Sequence, residues 1–159
     1  MSKEEIERRG GGQFIAPRVR SEPVPSVLAA LMAKVQLVPP LEQRAVVKAL
    51  QARLLSNDVA PVREAVMNGL RQLSEESIVS LVPQVLPRLN DSSEMVRVAA
   101  MEVLATVVVK GLVSVAVQHL IPRLTDSSAA VRAAALEMAR KVGLPGADLR
   151  GLDLSGANL

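Results

Sequence analysis

Residues 86–97 read Leu86-Pro87-Arg88-Leu89-Asn90-Asp91-Ser92-Ser93-Glu94-Met95-Val96-Arg97, and Val98-Ala99-Ala100-Met101-Glu102 follows. Residues 121–132 read Ile121-Pro122-Arg123-Leu124-Thr125-Asp126-Ser127-Ser128-Ala129-Ala130-Val131-Arg132, and Ala133-Ala134-Ala135-Leu136-Glu137 follows. The second stretch is the first displaced by 35 positions, measured from Val96 to Val131. A fainter copy, Leu55-Ser56-Asn57-Asp58 with Val62-Arg63 and Ala65-Val66-Met67-Asn68, lies 34 positions upstream, from Val62 to Val96. Self-similarity at a fixed period of this size is the signature of a repeat architecture.

Outward from these copies, residues 26–143 carry apolar positions three and four apart, the period of an α-helix. Short breaks punctuate them at Pro39-Pro40, Ser56-Asn57-Asp58, Ser74, Asn90 to Ser93, Gly111 and Asp126-Ser127-Ser128. Asp91, Ser92, Asp126 and Ser127 are residues that accept backbone N–H bonds at a helix start. No Gly-rich turn joins alternating strands, so the expectation is all-α. Helix pairs are expected at roughly 41–55 with 59–73, 75–90 with 94–110 and 112–125 with 128–142, preceded by a capping helix at about 25–37. Pro87 and Pro122 fall near the ends of first helices, where a proline removes a backbone bond and bends the helix. One such pair cannot bury its apolar face alone, whereas a stack of pairs builds a continuous core.

Asp-Ser-Ser-x-x-Val-Arg-x-Ala-Ala after Leu/Ile-Pro-Arg-Leu resembles the HEAT repeat, an armadillo-type helical motif. The resemblance covers about two-thirds of the chain and is strongest in the last two copies. It implies antiparallel helix pairs stacked into a right-handed α-solenoid of about three pairs. It also implies that the recurring Asp91, Arg97, Asp126 and Arg132, with Arg63 in the faint copy, form a structural ladder of charge-assisted bonds. On the second helices, Val96, Ala100, Val103 and Leu104 share one stripe and are expected to face the core. Val98, Met101 and Glu102 then point away, as do Leu136 and Glu137 in the next copy and Met67 in the first. These positions are the candidate partner-binding residues, with Met67, Met101 and Leu136 expected as an exposed apolar column suited to an amphipathic partner. The alternative is that the three apolar side chains pack against the adjacent repeat.

Composition agrees with closely packed helices. The chain is 49% hydrophobic but only 1% aromatic, with Phe14 as its single aromatic residue. Leu, Val and Ala fill such a core, and Ala is the best helix former. Net charge is +3, and the Lys and Arg residues are dispersed among acids. A nucleic-acid binder usually shows a dense basic stripe or stacking aromatics, so the composition argues against that class. There is no cysteine, hence no disulfide framework or thiolate chemistry. No apolar run reaches the length of a membrane span, and the acidic start Glu4-Glu5-Ile6-Glu7 is unlike a targeting peptide. Cytoplasmic residence is the default expectation.

The two ends read differently from the middle. Residues 1–24 mix charges with Gly10-Gly11-Gly12, Pro17 and Pro23, a composition expected to leave a disordered arm. Phe14 and Ile15 are its apolar anchor if it orders on a partner. Residues 25–143 form the repeat domain. In residues 144–159, Leu149, Leu154 and Leu159 recur every five positions, with Ala147, Leu152 and Ala157 two places earlier. That stretch resembles the pentapeptide repeat, whose fold is a β-helix, but thirteen residues make less than one coil. Leu149, Leu152 and Leu154 with Asn158 also match part of a leucine-rich repeat, with the Asn one place late. A short irregular or β-like tail is therefore expected.

The chemical inventory is thin. His119 is the single histidine, and one histidine without cysteine rarely makes a metal site. No phosphate-loop or dinucleotide signature is present, and no Ser–His–acid set can be assembled. The reading is a non-catalytic scaffold without cofactor that binds another protein, with neither membrane nor small molecule as its target. Set against it, the resemblance also admits an accessory lyase or chaperone of the HEAT type that acts on tetrapyrrole-bearing proteins.

Overall fold

The computed structural model describes residues 11–39, 42–56, 58–107 and 118–142, and its regular elements there are all helical. The chain divides into two compact units, Met1–Gln84 and Val85–Leu159.

In the first unit the helices are α1 (Gly11–Ser21), α2 (Pro25–Ala33), α3 (Gln43–Leu54), α4 (Ala60–Leu70) and α5 (Glu75–Val85), the last ending at the unit boundary. Local chemistry explains several of their starts. Pro25 and Pro61 sit in first turns, where a missing N–H costs nothing and a fixed φ is already helical. Glu75 and Glu76 open α5, where negative charge complements the exposed N–H groups.

Helix α1 departs from the sequence expectation of a disordered arm. Ile15 and Val19, one turn apart, are fully buried, and α1 packs on α3. Each such side chain contributes about 1.5–3 kcal/mol when withdrawn from water. That burial outweighs Pro17, which stands inside α1 and costs it a ladder bond. The end of α1 is closed by Arg53 of α3. Its guanidinium donates to the carbonyls of Val19 at 3.0 Å, Arg20 at 2.9 Å and Glu22 at 2.5 Å. These are among the carbonyls that a helix end leaves without partners. Asp58 completes the arrangement by accepting from Arg53 Nε at 2.5 Å. Gly11 and Gly12, expected as part of a linker, instead begin the helix. Residues 1–10 lie outside the described residues.

The stacking in this unit is that of an α-solenoid: α1 packs on α3, α2 on α4, and α1 with α2 and α3 with α4 make the pairs. Residues 11–33 are therefore a complete helix pair and not an arm plus a lone capping helix. Contact between α2 and α4 is close enough that a Cβ on Gly69 would lie 2.5 Å from Met32 Cγ and 2.8 Å from Met32 Cβ. Buried Gln43 ties α3 to the turn before it and to the segment that leads into α5. Its amide donates to Val38 O at 3.0 Å, and its oxygen accepts from the Ser74 N–H at 3.2 Å, just before α5.

The second unit contains the 3-10 segment Leu86–Asn90, helix α6 (Glu94–Val107), the 3-10 segment Ile121–Thr125 and helix α7 (Ala129–Val142). Each 3-10 segment packs on the helix that follows it, and α6 packs on α7. Pro87 and Pro122 stand at the starts of the two 3-10 segments. Neither can donate to the carbonyl four residues back, so the α ladder gives way to tighter turns. The faint copy has Arg53 where the others have proline, and there α3 stays α-helical to Leu54.

The expected tail at residues 144–159, with its pentapeptide-like spacing, lies outside the described residues. So do the expected helix ends at 108–117.

Candidate interaction surface and its supporting ladder

Two loops that share Arg-Leu-x-Asp-Ser-Ser build the same hydrogen-bond cage. Asp91 accepts the Ser93 N–H at 2.9 Å, and Asp126 accepts the Ser128 N–H at 2.9 Å. Each bond closes an Asx-type turn that leads into the following helix, and in the second loop the Ser128 hydroxyl also accepts the Val131 N–H of the first turn at 3.4 Å. Arg88 reaches Asp91 at 3.2 Å, and Arg123 reaches Asp126 at 3.1 Å. The arginine five places after the first serine closes each loop from the other side. Arg97 Nη1 donates to the carbonyl of Asp91 at 2.9 Å, and Arg132 Nη1 to that of Asp126 at 2.8 Å. Arg63 donates to the carbonyl of Asp58, five residues back, the counterpart of the bonds from Arg97 to the Ser92 carbonyl and from Arg132 to the Ser127 carbonyl.

The rung between successive loops is Arg97 to Asp126. Nη2 donates to Oδ1 at 2.8 Å and Nε to Oδ2 at 3.1 Å. This two-point geometry is the strong form of the ion pair, and both side chains are largely buried, at 12% and 5% exposure. Arg123 adds a second cross-link, donating to Leu89 O at 2.9 Å and Asn90 Oδ1 at 3.1 Å. The equal spacing of Asp91 with Arg97 and of Asp126 with Arg132 is thus made by backbone carbonyls within a loop. The side-chain rung joins Arg97 to the aspartate of the next copy.

Burial by itself pushes the Asp126 carboxyl up. The Arg97 hydrogen bond, the Ser128 N–H and the charges of Arg97 and Arg123 outweigh it and hold the group below its ordinary value. The carboxylate is therefore the form that the folded unit selects.

The expected exposed column is overturned. Met67 is 0%, Met101 1% and Leu136 4% exposed, so all three belong to the core. A single stripe underestimates the buried arc of a second helix, because such a helix is covered twice. Helix α4 packs on both α3 and α2, α6 on its own 3-10 segment and on α7, and α7 on its own 3-10 segment and on α6. Of the other candidate positions, Val98 is half-buried while Glu102 and Glu137 are exposed. Glu137 lies 3.8 Å from both Arg140 and Lys141. His119 is half-buried.

Sequence reasoning missed the surface of the first helices. Helix α3 stands between two open grooves. One, of about 630 Å3, is lined by Ala16, Pro17 and Arg20 of α1 and by Arg44, Ala45, Lys48 and Ala49 of α3. The other, of about 420 Å3, runs between α3 and α5 and includes Arg44, Lys48, Gln51, Glu76 and Ser77. Arg44 and Lys48, four apart on one helix face, belong to both. The sequence did carry that signal, as an i,i+4 pair of cations opposite the buried Val46 and Leu50. Its meaning depended on α1 being a helix. Arg53 was missed for a related reason, since it falls on the apolar face of α3 where an aliphatic residue is the usual occupant.

Among the described residues, no group of His, Asp and Glu is placed to hold a metal ion, and no helix is long and apolar enough to cross a membrane.

Comparison with protein families places HEAT-type repeats on the chain. Residues 81–110 match the HEAT repeat. Residues 110–139 match a HEAT repeat associated with sister chromatid cohesion. The matches support a HEAT-repeat family for these residues, and such families generally mediate protein–protein interaction and are typically non-catalytic. No curated protein and no solved structure matches the chain.

Proposed function

We propose that this chain is a non-catalytic scaffold that holds a partner protein against the exposed face of its stacked helices. The observation that carries the reading is the Arg97–Asp126 rung with its flanking loop cages. Charge-assisted bonds spent on holding successive helix pairs in register make a rigid platform, and a rigid platform lowers the ordering cost of binding. In the second unit the accessible candidates are Glu102 of α6 and Glu137 of α7, with half-buried Val98 one turn before Glu102. The cohesion-associated repeat matched at residues 110–139 points to a subunit of a larger protein assembly as the kind of partner. Residence in the cytoplasm and a pentapeptide-type continuation after residue 143 belong to the same reading.

The test is affinity capture on the immobilised full chain, followed by identification of the retained proteins and a binding titration with the principal one. Reversing charge at Glu102→Arg and Glu137→Arg together is expected to weaken that binding while the thermal melt is kept. Undiminished binding by the double variant overturns the assignment of this face. On mixing with a free bilin, no change in pigment absorption is expected. A shifted absorption band would instead support the pigment-handling reading.

A further inference from the structure

The molecule carries a second charged surface that the scaffold reading does not use. Arg20 of α1 and Arg44 and Lys48 of α3 line the groove between those helices, and among the described residues Ala16, Pro17, Ala45 and Ala49 make its other walls. All three cations are exposed, and among the described residues no acidic side chain lines this groove. Arg44 and Lys48 also border the groove on the far side of α3, so they form a basic ridge between two troughs. Four residues of helix separate them by about 6 Å, close to the separation of side chains two apart in an extended strand. That second trough adds Gln51 and Ser77 as neutral polar groups.

We propose that this ridge and its grooves dock an acidic, extended peptide segment of a partner protein, with two carboxylates on Arg44 and Lys48 and a third on Arg20. The inference rests on the scaffold reading only in taking the partner to be a protein. It concerns a different unit and different residues from Glu102 and Glu137. Charge complementarity selects the occupant. Three cations with apolar Ala and Pro walls between them suit carboxylates interleaved with small apolar side chains. A nucleic acid wants a longer phosphate-tracking stripe and aromatic stacking platforms, and Glu76 beside the second groove opposes a continuous polyanion. Guanidinium forks match carboxylates two atoms to two.

The experiment is fluorescence anisotropy of the full chain with a labelled peptide of alternating Glu and Ala. Saturable, salt-sensitive binding is expected. The double reversal Arg44→Glu with Lys48→Glu should weaken it by about tenfold or more, since it replaces attraction by like-charge repulsion. Both residues are exposed, so circular dichroism and the thermal melt should be kept. Reversing Arg140 and Lys141 removes the same number of exposed cations from α7 and is expected to leave binding within about twofold. Equal loss in the two double variants means attraction by net charge alone and overturns the proposal. So does tighter binding of a single-stranded oligonucleotide with the same dependence on Arg44 and Lys48, or equal binding of an alternating Lys and Ala peptide. A captured partner that needs Glu102 and Glu137 but ignores the Arg44 and Lys48 reversal leaves the scaffold reading standing and removes this one.

Discussion

Two residues show how much a repeat depends on single side chains. Arg97 satisfies its own loop through the Asp91 carbonyl and locks the next through Asp126. Truncating it leaves a largely buried carboxylate without its best partner, so Arg97→Ala is expected to lower unfolding free energy by about 2–3 kcal/mol. Asp126→Asn should cost a similar amount. The double variant should cost clearly less than the sum, because both changes break one bond. Urea denaturation of the four proteins measures the coupling, and strict additivity would show that the rung contributes nothing. Met101 belongs to the same scale. A carboxylate at this 1% exposed position has no partner, so Met101→Glu is expected to unfold the second unit or cost at least about 3 kcal/mol, and not merely to weaken partner binding. A normal melt for Met101→Glu would return the methionine to the surface.

At the scale of elements, α1 shows tertiary contact overriding local composition. Gly11, Gly12 and Pro17 argue against a helix, and in isolation so short a segment is marginal. It holds because Ile15 and Val19 are withdrawn against α3 and Arg53 closes its C-terminal carbonyls. Ile15→Asp is therefore expected to destabilise the protein by about 3 kcal/mol or more and to increase proteolysis near α1. Limited trypsin digestion followed by mass spectrometry reads this directly, through cleavage after Arg18 and Arg20. Unchanged resistance would mean that α1 is not docked. The 3-10 segments show the opposite relation, with local chemistry deciding. Proline at 87 and 122 ends the α ladder, and the copy with Arg53 at the matching position has no 3-10 segment.

For the molecule as a whole, acid stability follows from Asp126. Its folded-state value is depressed by the Arg97 bond, the Ser128 N–H and nearby charge in spite of burial. The unfolded chain binds this proton first as pH falls, near the ordinary value of about 3.9. The stabilisation is therefore complete above that pH. It is lost as pH drops through the lower folded-state value. Urea midpoints measured at neutral pH and below pH 4 should fall more for the native chain than for Asp126→Asn. Equal slopes would remove Asp126 from the acid response.

The repeat period, the helical class, the starts of α5, α6 and α7 and the recurring Asp and Arg positions could be read from the sequence by itself, whereas the parts of Arg88, Arg123, Ser93 and Ser128 in the loop cages could not. Each of the former depends on local spacing: apolar residues at three and four, an Asp before a helix start, a proline where a ladder must stop. Three further matters waited for the tertiary structure. Whether Met101 faces water depends on a second helix being covered from two sides, which no single helical stripe reveals. Which aspartate pairs with Arg97 depends on how consecutive loops lie against each other, since Asp91 and Asp126 are equivalent in sequence. The groove that Arg44 and Lys48 share with Arg20 exists because α1 folds onto α3. That packing comes from burial between segments far apart in the chain, a contribution that local composition does not record.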